Sequence, residues 1–212
     1  MIDKYIAFLL LMLVYGLYDR FRGIQRSKGI VIGYKYLPCF KIRVNIKRYP
    51  HIIITGITGT GKTRLAEYIV KDKKPILINC YKEDFTSIEA TRVNDLQKII
   101  SLLNAVPKNS WIVIDELNQL CNSSKEVSRL ITNLLFNARH EGTHIIGICQ
   151  RSNMKDIDCS NLFNVRIAGK HIKESDYRTT LGVSVDGNIG YREFYLVDGE
   201  RIEIFKSFNI GD

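Results

Sequence analysis

The chain contains no C-x-x-C pair: Cys39, Cys80, Cys121, Cys149 and Cys159 stand singly along the sequence. That scatter argues against a zinc ribbon and against a disulfide framework, and fits small buried hydrophobes in a reducing compartment. His51, His140, His144 and His171 lack metal-ligand spacing and are read as structural. There is no Ser-His-Asp nucleophile elbow, no internal repeat and no low-complexity stretch. At 212 residues two large domains do not fit, while 45% hydrophobic content supports the core of one α/β domain with a modest appendage.

Charge of one sign is abundant in only one place. The formal net charge is +9, and between Asp19 and Arg48 nine basic residues (Arg20, Arg22, Arg26, Lys28, Lys35, Lys41, Arg43, Lys47, Arg48) face a single acid. The remainder is nearly neutral, so the sequence has a basic collar and not a generally basic surface. Ahead of the collar, residues 5–18 (YIAFLLLMLVYGLY) carry no charge. As a helix this run spans about 21 Å, short of the roughly 30 Å hydrocarbon core, although flanking Lys and Arg stems can snorkel across part of the gap. No small-residue cleavage site follows it, which disfavours a removable signal. The expectation is a single-pass membrane anchor with the collar on the cytoplasmic side; a core or oligomer-contact helix is the alternative. The domain reading is therefore 1–28 anchor and collar, 29–212 globular domain.

The stretch that organises the domain is residues 56–63, GITGTGKT, which follows Ile52-Ile53-Ile54 and leads into the helix-like RLAEYIV. The spacing G-x-x-x-x-G-K-[ST] turns backbone N–H groups toward phosphates. Gly56, Thr58, Gly59, Thr60, Gly61, Lys62 and Thr63 form the predicted cradle, with Lys62 reaching the β and γ oxygens and Thr63 on Mg²⁺; the helix N-terminus adds its partial positive charge. A glycine-rich turn alone arises by chance; strand before, Lys-Thr inside and helix after make this one specific.

Downstream, residues 75–80 read as a buried parallel strand, 93–103 as a helix, and Trp111-Ile112-Val113-Ile114 as a strand buried on both faces. Asp115 and Glu116 end that strand, on the rim where open α/β sheets bind ligands. Asp115 is placed to hold Mg²⁺ through water and Glu116 to orient or deprotonate the attacking water; acids here also serve as helix N-caps. Residues 125–140 show Val127, Leu130, Ile131, Leu134 and Leu135 at helical spacing, closed by Gly142, and residues 144–149 form the next strand. Gln150 finishes it, either as a γ-phosphate sensor or as a polar strand end. The last fifty residues hold a strand at 164–168, a charged turn at 175–178 and a hairpin about Asp198-Gly199.

In its ordered blocks the chain resembles the FtsK/HerA family of DNA-translocating ATPases, specifically the FtsK/SpoIIIE-type motor domain. The blocks are Ile32-Gly33, PHIIITGITGTGKT at 50–63, Val113-Ile114-Asp115-Glu116-Leu117, ARHEGTHIIGICQRS at 138–152, Arg166-Ile167-Ala168 and DYRTTLG at 176–182. The resemblance covers roughly residues 30–206. It implies an α/β, RecA-like P-loop NTPase core, with a central mostly parallel sheet flanked by helices, behind the short N-terminal hydrophobic helix. It further implies ATP and Mg²⁺ as cofactors, a homo-oligomeric ring, usually a hexamer, and double-stranded DNA as the cargo. It favours Gln150 as the sensor and makes Arg139 and Arg178 candidates for a finger completing a neighbour's site. Long members of the family add several membrane spans, a linker, a further motor subdomain and a DNA-reading winged helix. None of these is expected here, so sequence-directed loading is not expected either. The functional expectation is a membrane-associated DNA pump serving viral genome packaging, or transfer or segregation of a mobile element. Capsid or transfer-machinery proteins would be its partners, and the motor would face the cytoplasm or lie at a viral inner membrane. The alternative is an ATP-driven phage assembly or extrusion factor that does not move DNA.

Overall fold

A computed structural model describes residues 6, 10, 12–14, 29–38, 40–150, 160–199 and 201–210. Ten strands form one mixed sheet in the order β2-β1-β10-β9-β8-β3-β7-β6-β4-β5. The strands are β1 (Ile30–Tyr34), β2 (Lys41–Val44), β3 (His51–Thr55), β4 (Ile76–Ile78), β5 (Thr91–Val93), β6 (Trp111–Ile114), β7 (His144–Cys149), β8 (Val165–Ala168), β9 (Glu193–Asp198) and β10 (Arg201–Ser207). From β8 to β5 every pairing is parallel; β9, β10, β1 and β2 extend the sheet antiparallel. The helices are α1 (Lys62–Val70), α2 (Leu96–Asn104), α3 (Leu117–Ser123), α4 (Lys125–Asn137) and α5 (Glu174–Leu181).

The isoleucine-rich strands are explained by burial on both faces. In β3, Ile52 and Ile54 enter one core with Leu65, Ala66, Ile69 and Val70 of α1. Ile53 enters the other, with Ile99 of α2, Leu117 of α3 and Ile131 of α4. β6 divides likewise, Trp111 and Val113 to the first core and Ile112 and Ile114 to the second, as a period of two requires. Gly147 in β7 leaves room for Leu117: a β-carbon there would stand 2.8 Å from its Cδ2. Capping explains two helix starts. The Asp95 carboxylate accepts from Lys98 N–H (3.0 Å) ahead of α2, and Ser124 Oγ accepts from Val127 N–H (3.4 Å) ahead of α4.

The mostly parallel α/β sheet agrees with the sequence reading, and the hairpin is present, Asp198 pairing Arg201 around Gly199 at φ +66°. Three boundaries differ. Val93 ends strand β5, paired with Ile78, and the helix begins only at Leu96. Helix α4 stops at Asn137, and residues 138–142 form a turn that Thr143 N–H closes onto Ala138 O. The charged segment 175–178 is not a turn: it lies inside α5, which buries Tyr177 and Leu181 in a cluster with Ala168 and Tyr195, and Thr180 against Thr55.

The single-pass anchor falls almost wholly outside the described residues. Ile6, Leu10, Met12, Leu13 and Val14 are helical and exposed. No helix among the described residues is long and apolar enough to cross a membrane. Cys80, Cys121 and Cys149 are buried and form no disulfide among the described residues. His51 and His171 are buried too, desolvation lowering each to about 4.

Candidate functional site

The connection from β3 to α1 is made of residues that can take conformations others avoid. Gly56, Gly59 and Gly61 have φ of +145°, +81° and +91°, the region where a β-carbon clashes with the backbone. Around Gly59 the space is open: a β-carbon built there meets nothing within 4 Å. Thr60 turns inward, its hydroxyl donating to Ile57 O (2.9 Å), so only its backbone is offered to a ligand. The neighbouring β8–α5 loop braces this connection, since Lys170 O accepts from Ile57 N–H (2.9 Å). Beneath it, Thr55 Oγ1 is hydrogen-bonded to His171 Nε2 (2.9 Å) and Thr180 Oγ1 (3.1 Å) in a buried cluster.

Lys62 opens α1 with only 7% of its surface exposed, and its ammonium donates to Ile57 O (3.0 Å) across the loop. Desolvation lowers its pKa, and the facing carboxylates of Glu116 and Asp115 pull it back up. Those carboxylates come from the strand two places away: β7 stands between β3 and β6. With strands about 4.8 Å apart, the lysine strand and the acid strand are separated by about 10 Å, room for a phosphoryl group and a water between them. Asp115 is buried (6% exposed), and desolvation raises its pKa to about 6, against the lowering effect of the Glu116 N–H that its Oδ1 accepts (2.9 Å). Asn79, at the end of β4, donates to Asp115 O (3.1 Å).

Glu116 adopts φ +47°, unusual for a residue with a side chain. It occupies the N-cap position of α3, yet its carboxylate makes no capping hydrogen bond. The helix-cap alternative for this acid therefore fails; Asp115 takes the N–H and Glu116 turns to the cleft. Gln150, following the intervening strand β7, accepts from Thr58 Oγ1 (3.2 Å), which joins the loop to the rim.

Together these groups line a cleft of about 330 Å³ whose walls include Thr58, Gly59, Lys62, Thr63, Asp115, Glu116 and Gln150. The residues fit a magnesium nucleotide. The open glycine face and the lysine suit phosphate, while the Thr63 hydroxyl beside a poorly solvated Asp115 carboxylate suits a hard divalent cation. Arg139 and Arg178 are not part of this cleft. Arg139 is exposed just past α4, and Arg178 is exposed on α5, donating to Ser184 Oγ through Nε (3.1 Å) and Nη2 (2.8 Å).

Residues 52–171 match the profile of the ATPase family associated with various cellular activities (AAA). The chain belongs to that family. Like other members, this AAA ATPase hydrolyses ATP, with Mg²⁺ as the metal cofactor. None of the curated proteins matches it. Among solved structures it is similar to the pCW3 conjugation coupling protein TcpA bound to ATPγS, with a TM-score of 0.73 and 16% identity over 88% of this chain and 67% of that one. It is also similar to the cytoplasmic domain of the Thermomonospora curvata Type VII secretion ATPase EccC, with a TM-score of 0.67, 16% identity and 87% of this chain covered; the AAA ATPase spans only 30% of that chain. The genome-packaging NTPase B204 of Sulfolobus turreted icosahedral virus 2, in complex with AMP, aligns with a TM-score of 0.56 and 15% identity over 76% of this chain and 98% of its own. At these identities the likeness is one of fold.

Four cleft residues had no signal in the sequence: Tyr81, Asp84, Arg64 and Tyr191. Arg64 sits one residue beyond the phosphate motif and ion-pairs with the buried Glu67 (3.4 Å), whose other oxygen accepts from Ser87 N–H (3.1 Å). The β4–β5 loop is thereby tied to α1. The other three arrive through tertiary contacts alone.

Proposed function

We propose that the AAA ATPase is an ATP-driven double-stranded DNA translocase of the FtsK/HerA type with a RecA-like motor core. The observation that carries the reading is the interposed strand β7, which sets Gln150 between the phosphate loop and the two acids, in the block order that family shows. The likeness in fold to a conjugation coupling protein and to a genome-packaging NTPase supports the same direction. In this proposal Lys62 and the loop N–H groups hold the triphosphate, and Thr63 and Asp115 hold Mg²⁺, which supplies charge neutralisation at the β and γ oxygens. Glu116 accepts the proton of the water whose oxygen attacks the γ-phosphorus, and the bond to the β–γ bridging oxygen breaks to leave ADP and phosphate. Gln150 reports the γ position to the loop through Thr58. Arg139 or Arg178 completes the site of the adjacent subunit in a homo-oligomeric ring, a role that fits their exposure away from their own cleft.

ATP hydrolysis measured with and without double-stranded DNA over a salt series tests the cargo. Stimulation at low salt that fades as salt rises, with displacement of a third strand from a triplex, is the expected result. A rate indifferent to DNA at every salt, together with an intact triplex, refutes translocation. The second reading, an assembly or extrusion factor that moves no DNA, is favoured by the likeness in fold to a secretion ATPase and predicts that refuting outcome.

Residues 5–18 and the collar are proposed to hold the motor at a membrane, the basic side chains each contributing about 1 kcal/mol near anionic head groups. Fused to a soluble reporter, residues 1–28 should carry it into the membrane pellet; a reporter recovered in the cytosol removes the anchor from the proposal.

A further inference from the structure

The strand order gives the nucleotide cleft two ends. On one side of β3 lie β7 and then β6 with Glu116, followed by β4; on the other lie β8 and then β9. The γ-phosphate end must face Lys62, Glu116 and Gln150. Tyr81, which follows β4 beside Asp84, is on that same side, so the sugar and base leave toward β8 and β9.

The residues that enter β9 are built into the phosphate loop. Arg192, at φ +63°, donates its N–H to Thr60 O (3.2 Å), and its Cγ would stand 3.1 Å from a β-carbon on Gly61. Its Nη2 donates to Ser207 O (2.6 Å), and Ser207 N–H donates back to Arg192 O (2.9 Å). On the other side of the elbow, Gly190 N–H donates to Glu193 Oε2 (2.8 Å). This backbone, held on both sides, presents Tyr191: its Cε2 would stand 3.6 Å from a β-carbon on Gly61, and the residue lines the cleft while 63% exposed. An exposed tyrosine on a surface loop is ordinary. One held by a fixed elbow against the glycine just ahead of a phosphate-binding helix is placed to meet whatever the phosphates carry.

We propose that Tyr191 is the platform on which the base of the bound nucleotide stacks, so that it sets affinity for ATP and not for the triphosphate alone. Aromatic rings gain from offset stacking on a base, and a ring already held on a rigid elbow loses little freedom in doing so. The inference rests on the ATPase assignment and is independent of the cargo.

The test is calorimetric titration of the full chain with MgATP and, separately, with magnesium tripolyphosphate, which has no base. Tyr191→Ala should weaken ATP binding about tenfold, raise KM more than it lowers kcat, and leave tripolyphosphate binding as in the wild type. Tyr191→Phe, which keeps the ring, should restore ATP affinity. If the alanine variant binds ATP like the wild type, or loses ATP and tripolyphosphate equally, the platform is refuted; the second result would mean that the ring acts by shaping the loop. A wild-type chain that binds neither ligand would instead overturn the nucleotide site itself, and the platform with it.

Discussion

Glu116→Gln is expected to lower ATP turnover by about 10²–10⁴-fold, the usual contribution of a positioned general base, while MgATP still binds. The substitution keeps the volume of the side chain and removes only its capacity to take a proton. The start of α3 does not depend on that carboxylate: the helix begins without a cap from Glu116, and the N–H at that point is satisfied by Asp115. The backbone angle of +47° is set by the turn out of β6 and is equally open to glutamine. Phosphate release and nucleotide retention on a filter, measured on the same preparation, separate the two effects. Hydrolysis at the wild-type rate would remove Glu116 from the role of base.

Lys62→Ala should be as severe in turnover and, unlike the first variant, should also weaken binding. A charge-assisted hydrogen bond to phosphate contributes about 1.5–3 kcal/mol, which is about 10- to 150-fold in affinity. Loss of a preorganised charge at the reacting phosphoryl group costs a further 10²–10³-fold in rate, roughly. Stability should change little: the deleted ammonium is itself poorly solvated, and it donates to a loop carbonyl, Ile57 O. Its absence removes a cation that lowers the Asp115 pKa while Glu116 still raises it, so the already elevated value moves higher. Calorimetric titration with MgATP and a denaturant midpoint check both halves; wild-type affinity in this variant would mean that the loop is not the phosphate site.

What could be read from the sequence was what is local. The glycines at 56, 59 and 61 stand within six residues of one another, and their backbone freedom is a property of residue type. The buried strands 51–55, 111–114 and 144–149 announce themselves as apolar runs, since a strand covered on both faces has no polar side to show. Helix α5 leaves little trace in the sequence because only Tyr177, Thr180 and Leu181 are buried on it, too few to outweigh Asp176 and Arg178 in a short window. Val93 reads as helical in the sequence because its pairing with Ile78, which makes it strand, cannot be seen from either segment alone. Tyr191 and Arg192 stand about 130 residues from Gly61, and no periodicity connects positions so far apart. Strand order was beyond reach for the same reason: each strand's identity is written in its own residues, but its neighbours are chosen by the packing of the whole sheet.

The bond from Arg192 N–H to Thr60 O has a mechanical meaning. It rivets the phosphate loop to the antiparallel half of a ten-stranded beam, and a hydrogen-bonded beam resists shear within its own plane. A shift of the loop relative to β9 would therefore have to break that bond. On its other flank the loop is tied through side chains: Gln150 accepts from Thr58 Oγ1, and Glu67 of α1 accepts from Ser87 N–H.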